Sequence, residues 1–310
     1  MNIIKNRYTY FLISLLIIIP GIVFMVINFV QEKSPFPLGI DFSGGSILEV
    51  QFSGSRPSAD AIRTAFEKIA PDTDPVVQPL GTDSYAIRSR EIDDALKGQI
   101  AAEFGTLGGG TVTVLEFNNV SGSVGSEVTT AAGIAIFMAA LAILGYIWYA
   151  FRGVDHAIRY GTAAIIAMLH DVLVVLGVEA ILGYFLGWEA DALFLTALLT
   201  VIGFSVHDTI VVFDRIRENS HIYRRIDYET LVNHSTIQTL DRSINTQLTV
   251  MFTLLALALF GGESIRHFVI ILLVGIFSGT YSSIFNASPI LVVWENREWK
   301  KWFKRNSASD

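Results

Sequence analysis

The chain has 310 residues, 52% hydrophobic and 16% charged, with no cysteine and a net charge of −7. That balance belongs to an integral membrane protein, not to a soluble domain with a polar surface, and the missing cysteine rules out disulfides, thiolate metal sites and sulfur redox chemistry. The acidic sum argues against nucleic acid as a partner, and the distribution of charge says more than its total.

Crossing a hydrocarbon core of roughly 30 Å takes about 20 helical residues, and six stretches qualify. The first, 8–30, follows Lys5 and Arg7. It is too long for the apolar core of a signal peptide and no A-x-A-like site follows, so it is expected to remain as an anchor. Residues 31–129 then carry more acidic than basic side chains, as suits a segment that folds in water. Their pattern predicts a strand at 46–52, a helix at 57–69, paired strands at 76–79 and 84–88, a helix at 91–104 and a strand at 111–117. The order βαββαβ is ferredoxin-like. The glycine-rich run 105–110 has no lysine and no following helix, so it reads as a loop and not as a phosphate cradle. Five more spans follow at 130–150, 160–182, 192–213, 246–261 and 268–293. The expected fold class is a multi-pass α-helical membrane protein of six spans with a ferredoxin-like α+β external domain between spans 1 and 2. Its parts are 1–30, the N-terminus and first span; 31–129, the external domain; 130–294, a five-span membrane domain; and 295–310, a basic amphipathic tail.

Lys and Arg crowd one set of ends and short loops: Lys5 and Arg7, Arg152 and Arg159, Arg215 to Arg242, and Arg297 to Arg305. The opposite loops, 183–191 and 262–267, carry little positive charge. By the positive-inside rule both termini are cytoplasmic. The aromatic and basic run 294–305, WENREWKKWFKR, suits a strip lying on the bilayer surface.

The fourth span contains VIGFSVHDTIVVFDRI, with His207 and Asp208 inside it. A carboxylate at membrane depth costs at least about 2.5–3.5 kcal/mol and persists only where it faces a partner, a cavity or an ion path. Asp208 is therefore the first functional candidate, expected about a third of the way in from a boundary marked by Arg215. His170 and Asp171 repeat the pair in the third span, with Glu179 two turns later. Adjacent helical residues point about 100° apart, so neither pair can chelate like an i, i+4 pair, and neither metal nor cofactor is expected. Arg242 opens the fifth stretch. Topology alone makes it an ordinary boundary arginine, yet Thr239, Ser243, Asn245, Thr246 and Gln247 around it suit a shallow water-filled cavity, where an arginine can hold Asp208 ionised and release it on protonation. Small residues Gly275, Ser278, Gly279, Ser282 and Ser283 predict close helix packing in the last span. The string GIDFSGG, with Gly39, Asp41, Gly44 and Gly45, joins the first span to the external domain as a hinge or linker turn.

The strings LGIDFSGG at 38–45, LHDV at 169–172, HDTIVVFDRIREN at 207–219 and QTLDRSINT at 238–246 together resemble the SecF family, the smaller membrane subunits of the SecDF accessory translocase in the resistance-nodulation-division superfamily. The resemblance covers essentially the whole chain. It implies a non-enzymatic subunit of the bacterial cytoplasmic membrane that works with SecD, the SecYEG channel and the translocating preprotein, with YajC as a further partner, and that uses inward proton flow to promote export. It also implies that Asp208 and Arg242 carry the proton pathway. The residues themselves make His207, Thr209, His170 and Asp171 supporting polar groups, Asp171 either as a second polar group on the charge path or as a helix-to-helix hydrogen-bond partner. His207 stands where the family commonly has asparagine. The rival readings are a passive scaffold for SecD and the channel, an intramembrane aspartyl protease built on Asp171 and Asp208, and half of an efflux pump. Neither aspartate lies in a Y-D or G-x-G-D context, and the short loops leave no room for the second large external loop that an efflux half requires. Sodium is an alternative coupling ion.

Overall fold

The computed structural model describes residues 2–152 and 157–298. From residue 299 on, the expected surface strip lies outside the described residues. Two compact units are present, one formed by the chain up to Pro37 together with the chain from Ala135 on, the other by Leu38–Ile134.

A first long helix, α1 (Arg7–Glu32), leads to a single helical turn, α2 (Ile40–Ser43), and then to β1 (Gly45–Phe52), α3 (Ala59–Ile69), β2 (Val76–Leu80), β3 (Ser84–Ser89), α4 (Asp94–Gly108) and β4 (Val112–Val120). The sheet is antiparallel with order β2-β3-β1-β4, which is the ferredoxin-like arrangement expected from βαββαβ. Alternation along β1 turns Leu48, Val50 and Phe52 toward Ile62 and Phe66 of α3 and Ile100 and Phe104 of α4, and these form the core. Both helices begin later than the pattern predicts, because Ser58 and Asp93 stand outside as N-caps, accepting from the amides of Ala61 at 3.3 Å and Leu96 at 2.8 Å. The glycine-rich run is corrected as well: α4 continues to Gly108, and the left-handed Gly109 at φ 62° ends it.

The string GIDFSGG forms a packed turn. Gly39 precedes α2, which carries Asp41, and Gly44 and Gly45 turn the chain into β1 at φ 74° and 119°. A side chain on Gly45 would meet the carbonyl oxygen of Ser89 at 2.6 Å, and one on Gly44 would meet Gly122 Cα at 2.8 Å.

On the sheet face away from the helices, Glu49 of β1 lies opposite Glu116 of β4. Burial, and then the charge of Glu116, raise the Glu49 pKa above the ordinary glutamate value. The folded unit thus binds a proton more tightly than the unfolded chain, so its stability rises as pH falls through the raised value toward the ordinary range. Glu49→Gln is expected to remove this dependence and to stabilise the unit at neutral pH by up to about 1 kcal/mol, read by denaturant melts across pH.

The helical unit, which begins with α1, takes in most of α5 (Gly122–Phe151), then α6 (Ala157–Leu186), α7 (Ala192–Ile222), α8 (Tyr228–Phe260) and α9 (Glu263–Ser282), a π turn (Ser283–Ala287) and α10 (Ser288–Glu295). Six helical segments among the described residues are long and apolar enough to span a membrane, the last running from Ile265 to Glu295. About half of the most apolar window is buried in α6, α7 and the last segment, against 11% in α1, 17% in α8 and none in α5. The first three therefore form the centre. Glycines let them approach closely: Gly21 of α1 meets Gly177 of α6 backbone to backbone, and Gly275 and Gly279 of α9 face Val201 and Ser205 of α7. Beyond Pro289 no α-helical ladder can close on the carbonyl of Phe285, since proline has no amide proton and its ring crowds that oxygen; the π turn ends two residues before it.

Two helices differ from the hydropathy reading. α7 runs nine residues past the expected end, and α8 starts 18 residues before it, capped by Asp227, which accepts from Thr230 N at 2.9 Å. This moves Arg242 from a boundary to roughly 21 Å inside α8, counting 1.5 Å per residue.

Candidate functional site

Asp208 and Asp171 lie near the middle of α7 and α6, 5% and 0% exposed. Each is surrounded by serine hydroxyls. Asp171 accepts from Ser205 and Ser282 at Oδ2 and from Ser278 at Oδ1, all at 2.6 Å. His170 Nδ1 lies 3.0 Å from Oδ1, so the adjacent pair does touch, with its imidazole stacked near Tyr281. Asp208 accepts from Ser243 of α8 at 2.7 Å and from Ser283 at the start of the π turn. The consecutive residues Ser282 and Ser283 thus hold one carboxylate each.

The two sites differ in how completely they are satisfied. A carboxylate offers about four acceptor positions. Asp171 meets three serine donors and His170 Nδ1, which tie α6, α7 and α9 together. Asp208 has two serine donors. Ser283 also lies 3.1 Å from the carbonyl of Thr280. Of the two, Asp208 has the fewer hydrogen-bond partners.

Arg242 does not reach Asp208. Its neighbour Ser243 makes that contact, while Arg242 is exposed together with Asn245, Thr246, Thr249 and Thr253. Spacings of three, four and seven put Arg242, Asn245, Thr246 and Thr249 on one stripe of α8 at mid-span. Polar groups at that depth face protein or water, not lipid. Behind the stripe a cavity of about 280 Å³ is lined by Ile244, Gln247, Met251, Thr280, Tyr281 and Ile284, residues on either side of the two serines that hold Asp208. Gln247 Oε1 is buried there and meets no hydrogen-bond partner among the described groups.

His207 is exposed, and Thr209 is buried and donates to the carbonyl of Ser205 at 3.0 Å. Arg215 is engaged by Gln238 at 2.7 Å and Glu218 at 2.6 Å, away from Asp208. Among the described residues, no three His, Cys, Asp or Glu side chains cluster as metal ligands would. The serines Ser205, Ser278, Ser282 and Ser283 were not legible as site groups in the sequence, while Ser243 stood there only as cavity lining. Their signal was present, since Ser278 and Ser282 share a face at i, i+4, but a small residue at a helix crossing reads first as a spacer.

Residues 33–55 match the model for the SecD/SecF GG motif, and residues 99–297 match that for the C-terminal region of the SecD/SecF protein export membrane proteins. Over 308 residues the chain is 53% identical to the protein translocase subunit SecF of Anaerolinea thermophila, covering 99% of this chain and 98% of that one. The chain belongs to the SecF family. It is also 48% identical to the SecF of Thermobaculum terrenum, covering 98% and 97% of the two chains. Among solved structures, SecDF from Thermus thermophilus, a translocon-associated membrane protein, superposes with a TM-score of 0.80 at 31% identity. That match covers 96% of this chain and 39% of the longer SecDF chain. The chain is a multi-pass membrane protein with the six-span plan of this family.

Proposed function

We propose that this SecF-family chain couples inward proton flow to the movement of preproteins through the SecYEG channel, together with SecD, in the bacterial cytoplasmic membrane. Asp208 is the proton-carrying group. The observation that carries this reading is a buried mid-span carboxylate held by two hydroxyls, beside a polar stripe of α8 that is exposed among the described residues.

The stripe supports a partner chain or a shared water channel on that face, and SecD is the partner that the SecDF structure suggests. In the assembled complex Arg242, level with Asp208, sets the local potential: its positive charge favours ionised Asp208, and protonation removes the attraction. A charge change acting on a two-state packing is the ingredient a transport cycle needs. One proton crossing about 100 mV supplies roughly 2.3 kcal/mol, enough to shift a helix packing or a domain and too little to unfold a substrate, so the cycle ratchets the preprotein and catalyses no covalent reaction. The excess of Lys and Arg at one set of ends supports cytoplasmic termini. YajC is a further partner in this reading. The test is proton flux and export measured together in vesicles holding the whole complex, at varied pH and sodium. Flux and export that follow the proton gradient at constant sodium support the reading; dependence on sodium alone overturns proton coupling.

A further inference from the structure

A third buried acid lies at another level of the bundle, apart from Asp171 and Asp208. Glu179 is two turns beyond Asp171 on α6, roughly 12 Å along the axis, and is fully buried. Its Oε2 is 2.7 Å from Nε2 of His267, in the first turns of α9. Its Oε1 is buried and meets no hydrogen-bond partner among the described groups. A bare buried acceptor costs about 1–3 kcal/mol, so an oxygen left this way in a packed bundle marks a place where something arrives.

The imidazole is held in position. Its ring lies 4.7 Å from that of Trp188, in the connection between α6 and α7, and 6.4 Å from that of Phe194, nearly parallel at 17°. The charged groups on the surrounding elements are Glu189 and Asp191 of the same connection, Arg266 beside His267 on α9, and Lys33 beyond the end of α1. Asp191 is committed to capping α7, accepting from Phe194 N at 2.7 Å. At this level α1 presents a neutral group, Asn28, which donates to the carbonyl of Ala180 at 3.0 Å.

This geometry lets the pair take up a proton without breaking its own bond. With Nε2–H donating to Oε2, an incoming proton forms an O–H bond at Oε1, and the couple goes from negative to neutral. Release breaks that O–H bond and restores the negative charge. Between this level and the serine-held aspartates lie Val175, Val201 and Gly275, and Gly275 packs directly on the side chain of Val201. A proton on Glu179 therefore waits behind this apolar packing until the helices shift.

We infer that Glu179, with His267 as its positioning residue, is a proton-loading site at the end of the membrane unit that carries the 187–191 and 261–262 connections, upstream of Asp208. This rests on the proton-driven reading. In vesicles holding the whole complex, Glu179→Gln is expected to lower proton flux from the outer side by at least about tenfold and to flatten its dependence on outer pH. Glu179→Asp restores part of both, and His267→Gln shifts the pH dependence. In the wild type, acidifying the outer side produces a protonated-carboxyl infrared band that Glu179→Gln lacks. An assembled Glu179→Gln complex with wild-type flux and wild-type pH profile overturns the inference, as does a wild-type spectrum with no such band. If Asp208→Asn still stops flux in either case, the proton-driven reading survives and only this site falls; if Asp208→Asn also conducts normally, the reading itself fails.

Discussion

Asp208→Asn is expected to lower proton flux through the assembled complex by about 100-fold or more and to remove the response of export to the proton gradient, while the chain folds and assembles normally. The size follows from removing the group that bears the proton, an effect typically of two to four orders of magnitude for general acid–base groups. The fold is spared because asparagine keeps the shape of the side chain: its carbonyl accepts from one of Ser243 and Ser283, and its amide donates to the hydroxyl of the other. A passive scaffold makes the opposite forecast, with export unchanged in the variant and lost when the chain is removed. The measurement is flux by a pH-sensitive dye inside vesicles, with export of a labelled preprotein followed in the same preparation.

Gly177→Leu is expected to cause the largest loss of stability. The α1–α6 crossing has no side chain on either helix at its closest point, and a Cβ on Gly177 would lie 2.8 Å from Gly21 Cα. A leucine there forces the two backbones apart. With so little of α1 buried against the rest of the unit, no other part of that helix can absorb the shift. Overpacking in cores costs about 1–3 kcal/mol and occasionally more, and contact with backbone on the far side places this change at the upper end. Gly145→Leu on α5, whose Cβ would have nothing within 4 Å, is the matched control and leaves stability unchanged. Thermal unfolding of the purified full chain in detergent separates the two.

The hydropathy pattern carries the span count because lipid demands it, and period-two alternation carries the outer sheet because one of its faces is buried. Asp208 is legible for the same reason: a charge in an apolar run has no cheap explanation. The start of α8 is not legible from hydropathy, since residues 228–245 are polar and the helix there is supported by an Asp227 cap and by packing of Leu231, Val232 and Ser235. The helix starts 18 residues before the apolar stretch, so Arg242 lies well inside α8, next to the Ser243 that meets Asp208. The serine cages were hidden by the double use of a small side chain, which spaces helices and donates a hydrogen bond. His267 sits at a helix start, where a histidine draws no attention, and its pairing with Glu179 across 88 residues of sequence is visible only in the fold.

In this mechanism the Asp208 carboxyl changes its protonation state as the complex works. Infrared difference spectroscopy on the wild-type complex and on Asp208→Asn, with an inward proton gradient switched on during export, reads that directly. A protonated-carboxyl band that appears and decays with turnover in the wild type, and is missing from the variant, is the predicted result. A carboxylate signal for Asp208 that stays constant through sustained export would contradict the account.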